Sequence, residues 1–326
     1  MFLTLTANAS LDRVLFIDRF TPETTNRATK MVDCVGGKGF DVSVALRGLG
    51  QETLAVGFVA GDLGASLVKL LDRYGIQKDL IWVEGETRLA HVIVERSLGR
   101  HSHIMAPGYS VTTAQCEEIL QRLRAHARMA HARMAHAKMA NWIIASGSLP
   151  AGAPPDFYRQ VSEIGAQAGV PVLIDSSGEP MRLSLAGGPA IVKMNEAEFY
   201  QTFSQELGDL HEHQRSNNLA YQSIEQAQRY RLAALVITRG RRGILAARPE
   251  GVYLAHSPEL AVINAAGAGD AVSAALTWRL ASGDDWPAAL RWATAAGAAA
   301  TLTEATGECQ LSDVEAILPA VEVERL

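Results

Sequence analysis

Leu260-Ala261-Val262-Ile263-Asn264-Ala265-Ala266-Gly267-Ala268-Gly269-Asp270 carries three signals in one run. Residues 260–263 have the apolar, β-branched content of a short strand. Gly267 and Gly269 mark a turn whose backbone can curl until successive N–H groups face one way. Beyond Asp270, the residues Val272, Ala275, Leu276 and Leu280 fall on one face of a helix. The start of a helix is a ready anion site, and the Asp270 carboxylate stands in its first turn. A backbone cradle for negative charge beside a carboxylate suits transfer of a phosphoryl group to a hydroxyl. Gly267, Ala268 and Gly269 would stabilise the developing charge, and Asp270 would take the proton. A tight turn followed by an N-terminal helix acid is the plainer alternative.

Outward from this run the same strand–turn–helix unit repeats. Apolar strands are expected at 1–6, 54–59, 80–83, 142–145, 170–175, 190–193 and 234–238. Helices are expected at 36–50, 64–74, 156–168, 223–231, 271–280 and 286–303, with a longer one beginning at Thr112. Residues 207–221 are polar and weakly periodic and read as loop or short helices. Such alternation predicts an α/β fold with a mostly parallel sheet and helices on both faces. Ligands bind beyond the carboxyl ends of such strands. The distinctive motifs all fall there, after the strands ending at Ala145, Asp175, Lys193, Thr238 and Ile263.

Two pairs of runs break the pattern: 13–20 with 28–35, and 88–95 with 100–105. Their alternation of polar and apolar residues predicts exposed antiparallel strands forming a small β lid over the site. The expected division is a core of 1–11, 36–87 and 106–326, with a lid of 12–35 and 88–105. In the long helix, His-Ala-Arg-Met-Ala at His126 recurs at His131, and as His-Ala-Lys-Met-Ala at His136. A five-residue period advances about 140° per repeat on a helix. The histidines therefore fan around it, which argues for a solvated, duplicated helix over a metal site.

The bulk figures agree. Over 326 residues, 48% are hydrophobic and the formal charge is −5. There is no basic excess to suggest nucleic acid, no apolar span to suggest a membrane, and no leader pattern at the N-terminus. Cys34, Cys116 and Cys309 are far apart and have neither metal nor redox spacing, which fits a reducing cytoplasm.

Five motifs in order resemble the phosphofructokinase-B branch of the ribokinase-like sugar kinases. They are Gly36-Gly37-Lys38-Gly39, Ser146-Gly147-Ser148-Leu149-Pro150, Asp175-Ser176-Ser177-Gly178, Lys193-Met194-Asn195 with Glu198, and Gly267-Ala268-Gly269-Asp270. Within that branch, Asn26-Arg27, Lys38 and Gly85-Glu86-Thr87-Arg88 look most like 1-phosphofructokinases and tagatose-6-phosphate kinases. The resemblance implies a three-layer α/β/α fold and ATP with Mg²⁺ as cosubstrate and cofactor. It also implies a sugar phosphate as acceptor. The exposed antiparallel edges of the lid suggest, separately, a homodimer formed through it. The resemblance makes Asp270 the base and Gly267–Gly269 the anion hole. Asn195 and Glu198 would hold Mg²⁺ through its water shell. Lys193, Thr238, Gly240 and Gly243 would line the nucleotide. Asp12 would bind sugar hydroxyls, and Gly37 would let the sugar approach. Lys38, Arg27 and Arg88 would meet the phosphate already on the sugar, since a dianion needs cations. Ser146 is either a substrate contact or a turn former.

The sequence departs from the branch at Phe40-Asp41, where an apolar residue and asparagine are usual. An ionised aspartate cannot donate a hydrogen bond, and it brings charge toward an anionic ligand. Pairing of Asp41 with Lys38 or Arg88, or selection of a substrate with an extra hydroxyl donor, are the open outcomes. Met194 stands where proline is common. Arg239, Arg241 and Arg242 crowd the nucleotide loop and read as exposed. A kinase of an unphosphorylated sugar or nucleoside is the nearest alternative, and a weakly catalytic sugar-phosphate-binding regulator is another. A nicotinamide oxidoreductase would need a glycine-rich turn after the first strand, where Asn8-Ala9-Ser10 stands instead.

Overall fold

The computed structural model describes residues 1–137, 142–207 and 212–326, without the side chains of 129–141 and 205–217. Its strands are β1 Phe2–Thr6, β2 Ser10–Ile17, β3 Lys30–Gly36, β4 Thr53–Val59, β5 Gln77–Trp82, β6 Arg88–Glu95, β7 Arg100–Met105, β8 Ile143–Ser146, β9 Val172–Asp175, β10 Ile191–Asn195, β11 Ala234–Thr238, β12 Ile244–Arg248, β13 Gly251–Ala255 and β14 Val323–Arg325. Its α-helices are α1 Lys38–Gly48, α2 Gly61–Arg73, α3 Thr113–Ala137, α4 Phe157–Ala168, α5 Gly178–Ser184, α6 Glu196–Leu207, α7 Glu212–Arg229, α8 Ala268–Ala281, α9 Trp286–Ala300 and α10 Leu311–Ile317.

Ten strands form one sheet in the order β14-β13-β12-β11-β10-β9-β8-β1-β4-β5. The strands from β11 through β5 run parallel, while β12, β13 and β14 close one edge antiparallel. The period of two along each strand divides its side chains between two cores. Leu3 and Leu5, Ile143, Ile174 and Ile237 pack with helices α3, α4, α6 and α7 on one face. Phe2, Ile144, Leu173 and Val236 pack with α1, α8, α9 and α10 on the other. Burial on both faces explains why these strands read as continuous apolar runs. The three layers follow.

The remaining strands form a separate sheet in the order β3-β2-β6-β7. Both expected pairs are antiparallel, and a parallel contact between β2 and β6 joins them. Val14, Phe16, Cys34, Val92 and Val94 form the inner face of this small sheet. They pack on Ala266 and Ala305, beside the glycine turn.

Several expectations need correction. Residues 260–263 form no strand. Their chain hangs on the end of α9, with Ile263 and Asn264 N–H groups donating to Thr301 O. β11 already pairs with β10 on one side and β12 on the other, so the run before the glycine turn has no place beside it. Residues 212–221 belong to one helix with 223–229, and 208–211 lie outside the described residues. The hairpin β12–β13, the strand β14 and the helices α5 and α10 had no expected counterpart. The side chains of His131 and His136 lie outside the described residues, whereas His126 Nε2 meets Asp79 Oδ2 at 2.7 Å.

Candidate active site

Asn264 shapes the glycine turn. Its Oδ1 accepts from Ala266 N at 3.1 Å, and its Nδ2 donates to Glu304 O and Ala305 O. Gly267 then adopts φ +78, and a Cβ there would collide with the backbone of Gly307. No other residue type fits a left-handed position against that backbone. Helix α8 starts at once. Ala268 N donates to Ala265 O at 3.4 Å and Asp270 N to Gly267 O at 3.0 Å, while the N–H groups of Gly267 and Gly269 have no acceptor among the described residues. Asp270 is buried in this first turn, and its Oδ1 has no hydrogen-bond partner among the described residues. Burial, reinforced by Asp175, pushes its carboxyl up to about 7, with Lys193 and Lys38 opposing. A carboxyl poised near neutrality with a free oxygen is a competent general base.

Behind the turn lies a charge network. Asp175, at the end of β9, meets Lys193 Nζ at 2.5 Å and Lys38 Nζ at 3.1 Å. Burial alone would raise its pKa, but the two ammonium groups hold it below the usual carboxylate range. Lys38 also faces Glu198 Oε1 at 3.4 Å. Burial opposes the Lys38 charge, yet Asp175, Glu198 and Asp270 hold it above the ordinary lysine range. A Cβ on Gly269 would stand 3.4 Å from Lys193 Nζ, so this ammonium borders the glycine turn.

Asn195 and Glu198 cap α6 reciprocally. Glu198 N donates to Asn195 Oδ1 at 2.9 Å, and Asn195 N donates to Glu198 Oε2 at 2.8 Å. This is a capping box with asparagine as the cap. It leaves Glu198 Oε1 for Lys38 or for a cation. Among the described residues there is no cage of three or more His, Cys, Asp or Glu. A magnesium ion needs none, because it keeps much of its water and takes one or two carboxylates plus phosphate oxygens. The residues present fit such an ion.

On the other side of Asp270 stands Asp12, whose Oδ1 accepts from Ser10 Oγ at 2.7 Å. Burial, opposed by Ser10 and Arg88, pushes it up to about 6. A Cβ on Gly36 would collide with Asp12 Oδ1, and Gly37 has φ +93 against Thr6, Ala9 and Ser10. The double glycine thus lets the chain pass Asp12 closely. Asp41 is buried, and its Oδ1 is unpartnered among the described residues. It pairs with neither Lys38 nor Arg88. Lys38 is held by Asp175 and Glu198, and Arg88 Nη2 donates to Asn8 O at 3.2 Å. Arg88 Nε, Thr6 Oγ1 and Ser146 Oγ are also buried without partners among the described residues. The residues before Arg88 are structural: Thr87 Oγ1 accepts from Ala60 N, and Glu86 accepts from the first N–H groups of α2. Arg27 is exposed between β2 and β3, and among the described residues no hydrogen bond or ion pair links it to the site.

A cavity of about 620 Å³ opens beside the glycine turn. Thr238, Gly240 and Gly243 line one wall, and Ala268 and Gly269 reach its inner end. Lys193 is not on this wall. It stands instead between Asp175 and Gly269. Arg239 and Arg242 meet Glu196, whereas Arg241 lines the cavity. Sequence reasoning missed the opposite wall: Thr294, Gly297, Ala298 and Thr301 of α9 and its end. Thr294 is only 3% exposed, and its Oγ1 is unpartnered among the described residues. Small residues at i, i+3, i+4 and i+7 put one helix face in view, and two threonines on it were the available signal. The volume is typical of a small-molecule site.

A model of the pfkB family of carbohydrate kinases matches residues 5–313. Among solved structures, the chain is similar to a protein described as a possible 1-phosphofructokinase of Thermotoga maritima. The two are 27% identical, with a TM-score of 0.85 over 100% of this chain and 99% of that one. Phosphofructokinase-2 of Escherichia coli, in complex with substrates and products, is 24% identical, with a TM-score of 0.83 over 98% of both chains. Ribokinase of Thermotoga maritima is 18% identical, with a TM-score of 0.72 over 98% of this chain and 99% of that one. The last two likenesses show the ribokinase-like fold.

Proposed function

The chain belongs to the pfkB family of carbohydrate kinases, and on that premise we propose that it phosphorylates a hydroxyl of a sugar phosphate of the fructose 1-phosphate or tagatose 6-phosphate type. The observation that carries this reading is the buried, unpartnered Asp270 oxygen at the start of α8, beside the Gly267–Gly269 turn. ATP would occupy the cavity between Thr238, Gly240 and Gly243 and the small-residue face of α9, with Thr294 free to bond it. Asp270 accepts the proton of the acceptor hydroxyl. The free N–H groups of the turn meet the charge that develops on the transferred phosphoryl group. Lys38 and Lys193 border the same point and favour this charge. The geometry thus supports Lys38 as a partner of the transferred group more than of the phosphate already on the sugar. Asn195 and Glu198 would hold Mg²⁺, which when bound neutralises phosphate oxygens.

Asp12, the Gly37 approach and Ser146 would receive the sugar. Arg88, with its buried free Nε, would meet the sugar's phosphate, with Arg27 a peripheral contact. Segments 12–35 and 88–105 would act as the lid over the core of 1–11, 36–87 and 106–326. Its outer strands expose Met31 and Ile104, at 56% and 54%, which supports pairing of two lids in a homodimer. Among the described residues no helix is long and apolar enough to cross a membrane, and the three cysteines are free and buried. Both facts support a cytoplasmic setting.

One observation favours an unphosphorylated sugar as acceptor. Lys38 is already engaged by two carboxylates and Arg27 is exposed, which leaves the half-buried Arg88 as the cation toward the sugar. The test is an ATP-consumption screen over fructose 1-phosphate, tagatose 6-phosphate, fructose 6-phosphate, ribose and nucleosides. Turnover of a sugar phosphate is expected. Turnover of free sugars or nucleosides alone would replace the proposed acceptor. Asp270→Asn should lower kcat by roughly 10²–10⁴-fold with the KM for ATP nearly unchanged.

A further inference from the structure

Four buried polar atoms without partners among the described residues, Thr6 Oγ1, Asp41 Oδ1, Ser146 Oγ and Asp270 Oδ1, come from elements that meet around the acceptor side of the site. Buried polar atoms are nearly always satisfied, so unsatisfied ones gathered at a site mark where a ligand belongs. Asp41 is the unexpected member. It is only 4% exposed, and it sits in the first turn of α1 with its Cβ against Gly307. A Cβ on Gly307 would stand 2.9 Å from the Asp41 Cβ, so the loop after α9 holds this side chain in place. The groups facing it are acidic or neutral. They are Asp12 from β2, Asp270 from α8, Cys34 from β3 and Tyr74 after α2. The ammonium groups of the site, Lys38 and Lys193, are held by Asp175.

Two carboxylates in such a space repel, and a third cannot ionise without a cation. We propose that Asp41 is a specificity-determining residue that keeps its proton and donates a hydrogen bond to an oxygen of the acceptor sugar, next to the hydroxyl that Asp270 deprotonates. A neutral carboxyl offers one O–H donor, as an amide offers N–H, while an ionised one only accepts. The acceptor must therefore present a lone pair at that point, and a deoxy sugar lacking the oxygen would be rejected. Burial, with Asp270 and Asp12 adding to it, raises the Asp41 carboxyl well above its ordinary range, as the role requires. The proposal rests on the sugar-phosphate kinase reading for the identity of the acceptor, though the protonation does not.

Two measurements test it. The first is the KM for fructose 1-phosphate and for tagatose 6-phosphate from pH 6 to 9.5, in wild type, Asp41→Asn and Asp41→Leu. In wild type the KM of the accepted sugar should climb up to tenfold per pH unit once Asp41 ionises. Asp41→Asn should stay flat there, Asp41→Leu should be raised at least tenfold at every pH, and the KM for ATP should hold in all three. An identical alkaline rise in wild type and Asp41→Asn would overturn the role. The second measurement is the melting temperature of the ligand-free proteins against pH. A raised native pKa gives stability that is present at low pH and lost as pH rises. Asp41→Asn loses none, so its advantage over wild type should widen with pH, and a constant gap would overturn the protonated state. If wild type turns over neither sugar phosphate, the parent reading falls, and the substrate half of the proposal with it. The melts still decide the protonation half.

Discussion

On the proposed phosphoryl side of the site, Asp175 lies between Lys193 and Lys38, and Lys38 reaches on to Glu198. On the proposed acceptor side, burial raises Asp12, Asp41 and Asp270, Asp12 and Asp270 add to the rise at Asp41, and oxygens and hydroxyls unpartnered among the described residues gather around them. The first region is complete in the protein alone. The second leaves hydrogen-bonding capacity unused. Preorganised charge does not have to rearrange as negative charge develops on a transferred group. Groups left unsatisfied raise the cost of an empty site and so favour an acceptor that satisfies them.

The contrast breaks most visibly in stability. Asp175→Asn leaves Lys193 buried without its counterion and should cost about 3–5 kcal/mol, read from urea unfolding at pH 7.5. A midpoint equal to wild type would mean that the network is not holding the fold. Asp12→Asn should move the other way above pH 6. The stability linked to Asp12 protonation is present below its unfolded pKa and lost as pH rises through about 6. The variant should therefore melt no lower than wild type at pH 8 while its KM for sugar rises.

A pH profile comes next. Asp270 must be ionised to act as base, so kcat/KM should fall by roughly tenfold per unit below its titration near 7. A profile flat from pH 8 to pH 5.5 would remove Asp270 from that role. Thr294→Val is a smaller perturbation outside both regions. It removes one hydroxyl that nothing else satisfies, so the KM for ATP should rise about fivefold, the equivalent of ~1 kcal/mol, with the sugar KM unchanged. Arg27→Ala should matter least, because an exposed charge contributes about 0.2–1 kcal/mol. A two- to fivefold rise in the sugar-phosphate KM is expected, and a larger loss would show that the lid carries Arg27 onto the ligand.

Much of the site could be read from local pattern. Gly267 and Asp270 were flagged by two glycines and an acid at a helix start, whereas the parts given to Gly37, Thr238, Gly240 and Gly243 came from the family resemblance. The reciprocal cap of Asn195 and Glu198 lies three residues apart, within reach of a motif. What escaped had no local mark. Lys38 and Asp175 are 137 positions apart in the chain, and no spacing rule brings them to 3.1 Å. Likewise Asp41 read as a charge in search of Lys38 or Arg88, because its neighbours from β2, α8 and the loop at Gly307 were invisible. The wall formed by Thr294, Gly297, Ala298 and Thr301 read as ordinary helix, since small residues mark a cavity only when something faces them.

Sequence alone determined the layers of this protein. Apolar strands between turn glycines require a sheet buried on both faces, and residues alternating along each strand divide themselves between two cores. It also determined the glycine turn before α8, because a left-handed glycine at a helix start is a local event. Tertiary structure decided the rest. It hung residues 260–263 on the end of α9 where their composition suggested a strand. It joined the two antiparallel pairs, β2–β3 and β6–β7, through the parallel β2–β6 contact. It also gave Lys38 to Asp175 and left Asp41 among acids. Dihedral preference and periodicity act between near neighbours, whereas charge, burial and cavity shape depend on which distant segments the fold brings together.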